Sequence, residues 1–128
     1  MDAKLNQFAV RYAEAWCSQD PEKVIAFYAK NALISVNNGP PATIEEVARG
    51  FMADFPDMIV TFDKLEARDD KVAFHWTLTG TYSETGNKIQ ISGHELWKID
   101  SNGLIAESQG HFDAADYERQ IRGQRHVT

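Results

Sequence analysis

Helical spacing in the first half of the chain, two-residue alternation after Met58, and turns too short to carry a crossover together predict an α+β fold. Leu5, Phe8, Ala9, Tyr12, Ala15 and Trp16 recur at helical spacing, which predicts an amphipathic helix from about residue 3 to 18. Asp20 as N-cap, Pro21 at the first position and Glu22 behind it open a second helix, whose apolar face carries Val24, Phe27 and Tyr28. A short strand is expected from Ala32 to Val36, followed by a turn-rich run from Asn37 to Pro41. Thr43 and Glu46 form a capping box, opening a third helix that ends before Pro56.

After Met58 the strands follow one another closely. Val60, Phe62 and Leu65 mark the first, closed by Arg68-Asp69-Asp70. Val72 to Tyr82 alternates Phe74, Trp76 and Leu78 against His75, Thr77 and Thr79. Lys88 to Ile99 carries Ile91, Gly93, Glu95, Trp97 and Ile99 on one face, and Leu104 to Phe112 completes a four-strand meander. Asp113 caps a short C-terminal helix closed by Gly123. Strands linked by such turns pair antiparallel, and the amphipathic helices are the natural cover for the buried face. A sheet that curls around them can leave a pocket between the layers, a favoured place for ligands.

Composition narrows the function. A chain of 128 residues, 43% hydrophobic and 25% charged, is expected to form a single domain (1–128) without metal or disulfide staples. A formal charge of −6 argues against nucleic-acid binding, which needs a basic footprint. The single cysteine, Cys17, cannot form an internal disulfide and fits a reducing, cytoplasmic setting. No apolar run approaches a membrane span, and the polar start from Met1 to Asn6 is not expected to act as a signal peptide.

Glu95 is the sharpest chemical signal, because periodicity turns its carboxyl inward. Desolvation of such a group raises its pKa toward the range of a general acid or base. A one-residue slip would instead expose Glu95 and bury His94, and a buried structural hydrogen bond is the other alternative. Tyr12, between Phe8 and Trp16, can donate to a substrate oxygen or to Glu95, or simply fill the core. Phe74, Trp76, Trp97 and Phe112 share inward parity as candidate ligand-contacting walls, with Gly93 and Gly110 leaving room beside them. The same pattern equally describes a filled core. His75 and His94 have outward parity beside Glu107, Gln109 and His111. No zinc-type spacing accompanies them, so no metal is assigned. Leu96 and Ile105 share that outer face, which suits a homodimer contact.

The segments "FAVRYAEAW", "DPEKVIAFYAKNALI", "FPDM", "VAFHWTLTGTY" and "ISGHELWKIDSNGLIAES", in this order, resemble the SnoaL-like polyketide cyclase branch of the nuclear transport factor 2-like superfamily. That resemblance implies a cone-shaped, curved antiparallel sheet wrapped around N-terminal helices with a pocket inside, commonly as a homodimer. It also implies acid/base chemistry without a cofactor, as in ketosteroid isomerases and aldol-type cyclases, although many relatives are non-catalytic. Tyr12 matches the isomerase tyrosine of the first helix, and Glu95 matches the acid of the penultimate strand. At the place of the isomerase base stand Val36 and Asn37, so steroid-type isomerisation is not expected and Asn37 is left as a ligand-contact candidate. Tyr82 stands where several SnoaL-like relatives carry a histidine.

The resulting expectation is a protein that binds a small apolar molecule. It is either an isomerase or cyclase in which Glu95 moves a proton α to a carbonyl while Tyr12 steadies the enolate oxygen, or a non-catalytic binding or dimerising module.

Overall fold

A computed structural model of the chain describes residues 3–123; Met1 and Asp2 of the polar start lie outside them. Helix α1 (Ala3–Cys17) and the one-turn α2 (Pro21–Ile25) precede strand β1 (Tyr28–Val36) and the two-residue β2 (Ala42–Thr43). Helix α3 (Ile44–Asp54) then leads to β3 (Ile59–Arg68), β4 (Lys71–Thr81), β5 (Lys88–Ile99) and β6 (Ile105–Phe112), and α4 (Ala114–Ile121) follows. The caps behave as the sequence predicts: the side chains of Asp20, Thr43 and Asp113 accept from the backbone N–H of Glu22, Glu46 and Asp116. No helix among the described residues is long and apolar enough to cross a membrane.

The six strands form one curved, unclosed sheet in the order β2-β1-β6-β5-β4-β3. The four-strand meander is present, but the sheet is mixed, not antiparallel throughout, because β1 runs parallel to β6. Most of the chain separates these two strands, so no hairpin constrains their direction. Two other expectations shift. Tyr28 belongs to β1 and not to the second helix: the chain leaves α2 at Ala26, and the Phe27 carbonyl accepts from Ile105 N–H at 3.0 Å. Asn31, at φ +66°, then breaks the alternation of β1, which hides the start of the strand from a period-two reading. Ile105 is fully buried in the core instead of lying on the outer face, because a register shift between Lys98 and Ile99 turns that end of β6 inward.

Along β5 the expected alternation holds. Ile89, Ile91, Glu95 and Trp97 are buried, while Gln90, Ser92 and Lys98 are exposed. Phe74 stacks on Trp97 at 4.8 Å and 12°, with Tyr12 of α1 meeting both rings edge-on at 5.2 and 5.1 Å. These contacts seat α1 on the concave face. Gly93 faces Trp76 on one side and Phe112 on the other. A Cβ at Gly93 would collide with the His111 carbonyl and lie 2.7 Å from Trp76 Cζ2. The Trp76 ring can cross β5 only because that position lacks a side chain. Gly93→Ala should therefore destabilise the fold by about 1–3 kcal/mol and shift tryptophan fluorescence; urea unfolding showing wild-type stability would refute this.

Candidate functional site

Four elements converge on one oxygen. Strand β5 carries Glu95 inward, and its Oε1 accepts from Tyr12 Oη of α1 at 2.8 Å, Ser108 Oγ of β6 at 2.8 Å and Trp97 Nε1 at 3.1 Å. Tyr28 Oη of β1 lies 3.3 Å from the same atom and 2.7 Å from Tyr12 Oη. Each phenol has a single proton. With Tyr12 donating to Glu95, the shorter contact makes Tyr28 the donor to Tyr12, so the phenols form a two-step chain ending on Oε1. That oxygen's capacity is filled. Oε2 receives no hydrogen bond from any described residue.

Burial pushes the Glu95 carboxyl above its ordinary value, against the opposing pull of the polar groups around it, Trp97 first and then Tyr12, Ser108 and Tyr28. Burial also drives the phenols of Tyr12 and Tyr28 well above the usual tyrosine value, reinforced by the nearby carboxylate, so both stay protonated at working pH. Because three protons already point at Oε1, a proton taken up by Glu95 belongs on Oε2.

Glu95 forms part of the wall of a partly open cavity of about 60 Å³, lined otherwise almost wholly by apolar atoms. Its other walls come from Trp16 of α1, Val47 and Phe51 of α3, and Trp76, Leu78 and Phe112 of the sheet, with Gly110 beside the carboxyl. Neither indole N–H of Trp16 or Trp76 has a hydrogen-bond partner, and both are sealed from solvent. The Trp16 and Tyr12 rings meet edge-on at 6.3 Å and 81°. The cavity thus offers a carboxyl oxygen and aromatic rings, and no open donor apart from a protonated Glu95.

The sequence-derived candidates separate into three groups. Glu95, Trp76 and Phe112 line the cavity. Tyr12, Phe74 and Trp97 are fully buried behind it: Tyr12 and Trp97 hold Glu95, and Phe74 braces them by stacking. Asn37 sits elsewhere, its Oδ1 accepting from Phe112 N–H at 2.9 Å and its own N–H donating to the Gly110 carbonyl at 2.8 Å. That residue clamps the end of β6. Two members of the Glu95 cluster, Tyr28 and Ser108, escape sequence reasoning. For Ser108 a signal existed, since it shares the parity of Gly110 and Phe112 on the same strand. On the outer face His75, His94 and His111 stand side by side across β4, β5 and β6, with ring separations of 5.6 and 5.0 Å. Partial burial and then the neighbouring His111 hold His94 below the ordinary histidine value. No group of three such ligands among the described residues is placed to hold a metal ion.

A model of the SnoaL-like domain matches residues 9–108. The chain belongs to the SnoaL-like family. This places it in the nuclear transport factor 2-like superfamily, and solved structures share the fold. AclR from Streptomyces galilaeus, described as a candidate hydroxylase, is 16% identical with a TM-score of 0.81, covering 98% of this chain and 85% of its own. A protein of ketosteroid isomerase-like fold from Catenulispora acidiphila, in complex with trimethylamine, is 16% identical with a TM-score of 0.79, covering 91% of this chain and 92% of its own. IdmH from Streptomyces antibioticus, described as a candidate polyketide cyclase, is 23% identical with a TM-score of 0.75, covering 91% and 97%. No curated protein sequence matches the chain. Within this SnoaL-like domain the family model spans every residue of the Glu95 cluster.

Two outcomes follow from the geometry. A Cβ at Gly110 would meet only ordinary contacts, 3.6 Å from the Ser35 carbonyl and 3.9 Å from Glu95 Cγ. Gly110→Ala should therefore leave thermal stability near wild type while filling the cavity beside the carboxyl, visible in a crystal structure as lost void. Glu95 binds its proton more tightly when folded than when unfolded. Between the ordinary carboxyl value, near 4.5, and its raised value the native state holds more protons, so Glu95's contribution to stability falls as pH rises. Glu95→Gln, which keeps an acceptor for the three donors, should gain stability relative to wild type as pH rises through that window. A difference independent of pH in denaturant titrations would contradict the raised carboxyl.

Proposed function

We propose that this SnoaL-like protein binds a small, largely apolar molecule in the Glu95 cavity and transfers a proton at Glu95 Oε2, as an isomerase or cyclase acting on a carbonyl compound. One observation carries the proposal: the carboxyl is fixed through Oε1 and left unbonded at Oε2, inside a pocket that is otherwise apolar. A base held this way can take a proton from the carbon α to a carbonyl and return it to another atom, with desolvation raising its basicity toward neutral pH. Support also comes from similar folds, one described as a candidate polyketide cyclase and one holding a small amine.

Tyr12 acts through Glu95 in this scheme. Its hydroxyl is committed to Oε1 and it lies outside the cavity wall, so it sets the carboxyl's position and basicity and does not reach the substrate oxygen. Ser108 and Tyr28 serve the same end. The carbonyl oxygen of a substrate meets no fixed donor, which restricts the chemistry to steps that Glu95 alone can balance by accepting and returning one proton.

Exchange of α-protons for deuterium in small ketones such as acetone and cyclohexanone, followed by NMR in D₂O, tests the proposal. Wild-type protein should accelerate exchange above the buffer rate, and Glu95→Gln should lose that acceleration by about 10²-fold or more. Full activity in the variant would sink the mechanism. Tyr12→Phe removes one donor to Oε1, so it should move the limb of the pH–rate profile governed by Glu95 to higher pH; a change in rate without that displacement would show that Tyr12 does not tune the carboxyl.

A further inference from the structure

We propose that the Glu95 cavity recognises a methylated alkylammonium head, either quaternary or a protonated tertiary amine. The inference rests on the reading that this cavity is a ligand site, and it is independent of whether Glu95 also moves a proton.

Three observations lead to this ligand class. The first is the arrangement of rings. Four aromatic residues of the wall form two corners: Trp16 meets Phe51 at 6.3 Å and 79°, and Trp76 meets Phe112 at 6.1 Å and 66°. Both pairs meet edge to face, so aromatic surface of more than one orientation borders the cavity, and such surface attracts an alkylated cation. The second is the polar inventory. The indole N–H groups are sealed off and the Tyr12 hydroxyl is engaged, leaving the Glu95 carboxyl as the polar group that a ligand can meet. An ionised carboxylate among aromatic rings complements a cation and repels an oxyanion.

Size is the third. A water needs roughly 10–15 Å³ of such space, so about 60 Å³ has room for roughly four to six water-sized groups. A nitrogen with three methyls and the first atom of a linker falls in that range, whereas a fused ring system needs several hundred Å³. The formal charge of −6 adds a field that draws cations toward the molecule. A bound cation favours ionised Glu95. Tyr12 and Tyr28 are the titratable groups packed against Glu95, and both remain neutral, so the pH dependence of binding reports the carboxyl.

Calorimetry and tryptophan fluorescence with choline, tetramethylammonium and the neutral choline isostere 3,3-dimethylbutan-1-ol, at matched ionic strength, decide the matter. Choline and tetramethylammonium should saturate the wild-type protein, with the neutral isostere weaker by about tenfold or more. Affinity for choline should rise with pH through the Glu95 titration and then level off, and Glu95→Gln should bind choline about tenfold more weakly. Trp76→Leu should weaken choline binding more than binding of the isostere. Equal affinity for choline and its isostere, or no saturable binding of either cation, would overturn the inference without recourse to any variant. Absence of cation binding alongside Glu95-dependent ketone exchange would reject the ammonium head and keep the proton chemistry; the opposite pair of results would reject the proton chemistry alone.

Discussion

A carboxyl group removed from water has to be compensated, and the architecture around Glu95 is organised by that requirement. Desolvation of an ionisable group is unfavourable unless hydrogen bonds replace the lost water. Here the replacements come from α1, β1, β5 and β6 at once. Elements far apart in the chain are thereby held in a single relative placement, and an error in any of them leaves a buried oxygen without its donor. The aromatic stack of Phe74 on Trp97, with Tyr12 against both, keeps the donors from drifting.

The compensation is one-sided. All the donors aim at Oε1, while no described residue bonds the second oxygen of a carboxyl that lines the cavity. Saturating both oxygens would give a purely structural carboxylate. Leaving both unsatisfied would destabilise the core. Fixing one and freeing the other gives a group with a defined position and a defined reactive atom, which is the condition for directed proton transfer and also for oriented recognition of a charged ligand.

Much of this was legible in the residues, for physical reasons that also mark the boundary. Alternation along β5 identifies Glu95 as inward because strand parity is strict from Ile89 to Trp97. The helical stripe of α1 locates Tyr12 in the same way. Parity names a face, however, and not what lies above it: Phe74, Trp76, Trp97 and Phe112 all point inward, yet α1 covers Phe74 and Trp97 while Trp76 and Phe112 reach the cavity. Tyr28 was hidden by a one-turn helix followed by a left-handed Asn31, two local irregularities that erase both periods. The bulge between Lys98 and Ile99 similarly reversed the expected direction of Ile105. Asn37 looked available for a ligand because nothing local reveals that its side chain bonds Phe112, seventy-five positions away.

An open sheet has two rims, and these rims are unlike the interior. One is β2, only two residues long, and the other is β3, whose pairing is offset between Phe62 and Lys64 and whose outer half carries Lys64, Glu66 and Arg68. A stub on one side and a kinked, charged border on the other give a foreign strand little straight backbone to zip against. The sheet can therefore stay unclosed without inviting edge-to-edge growth into fibrils.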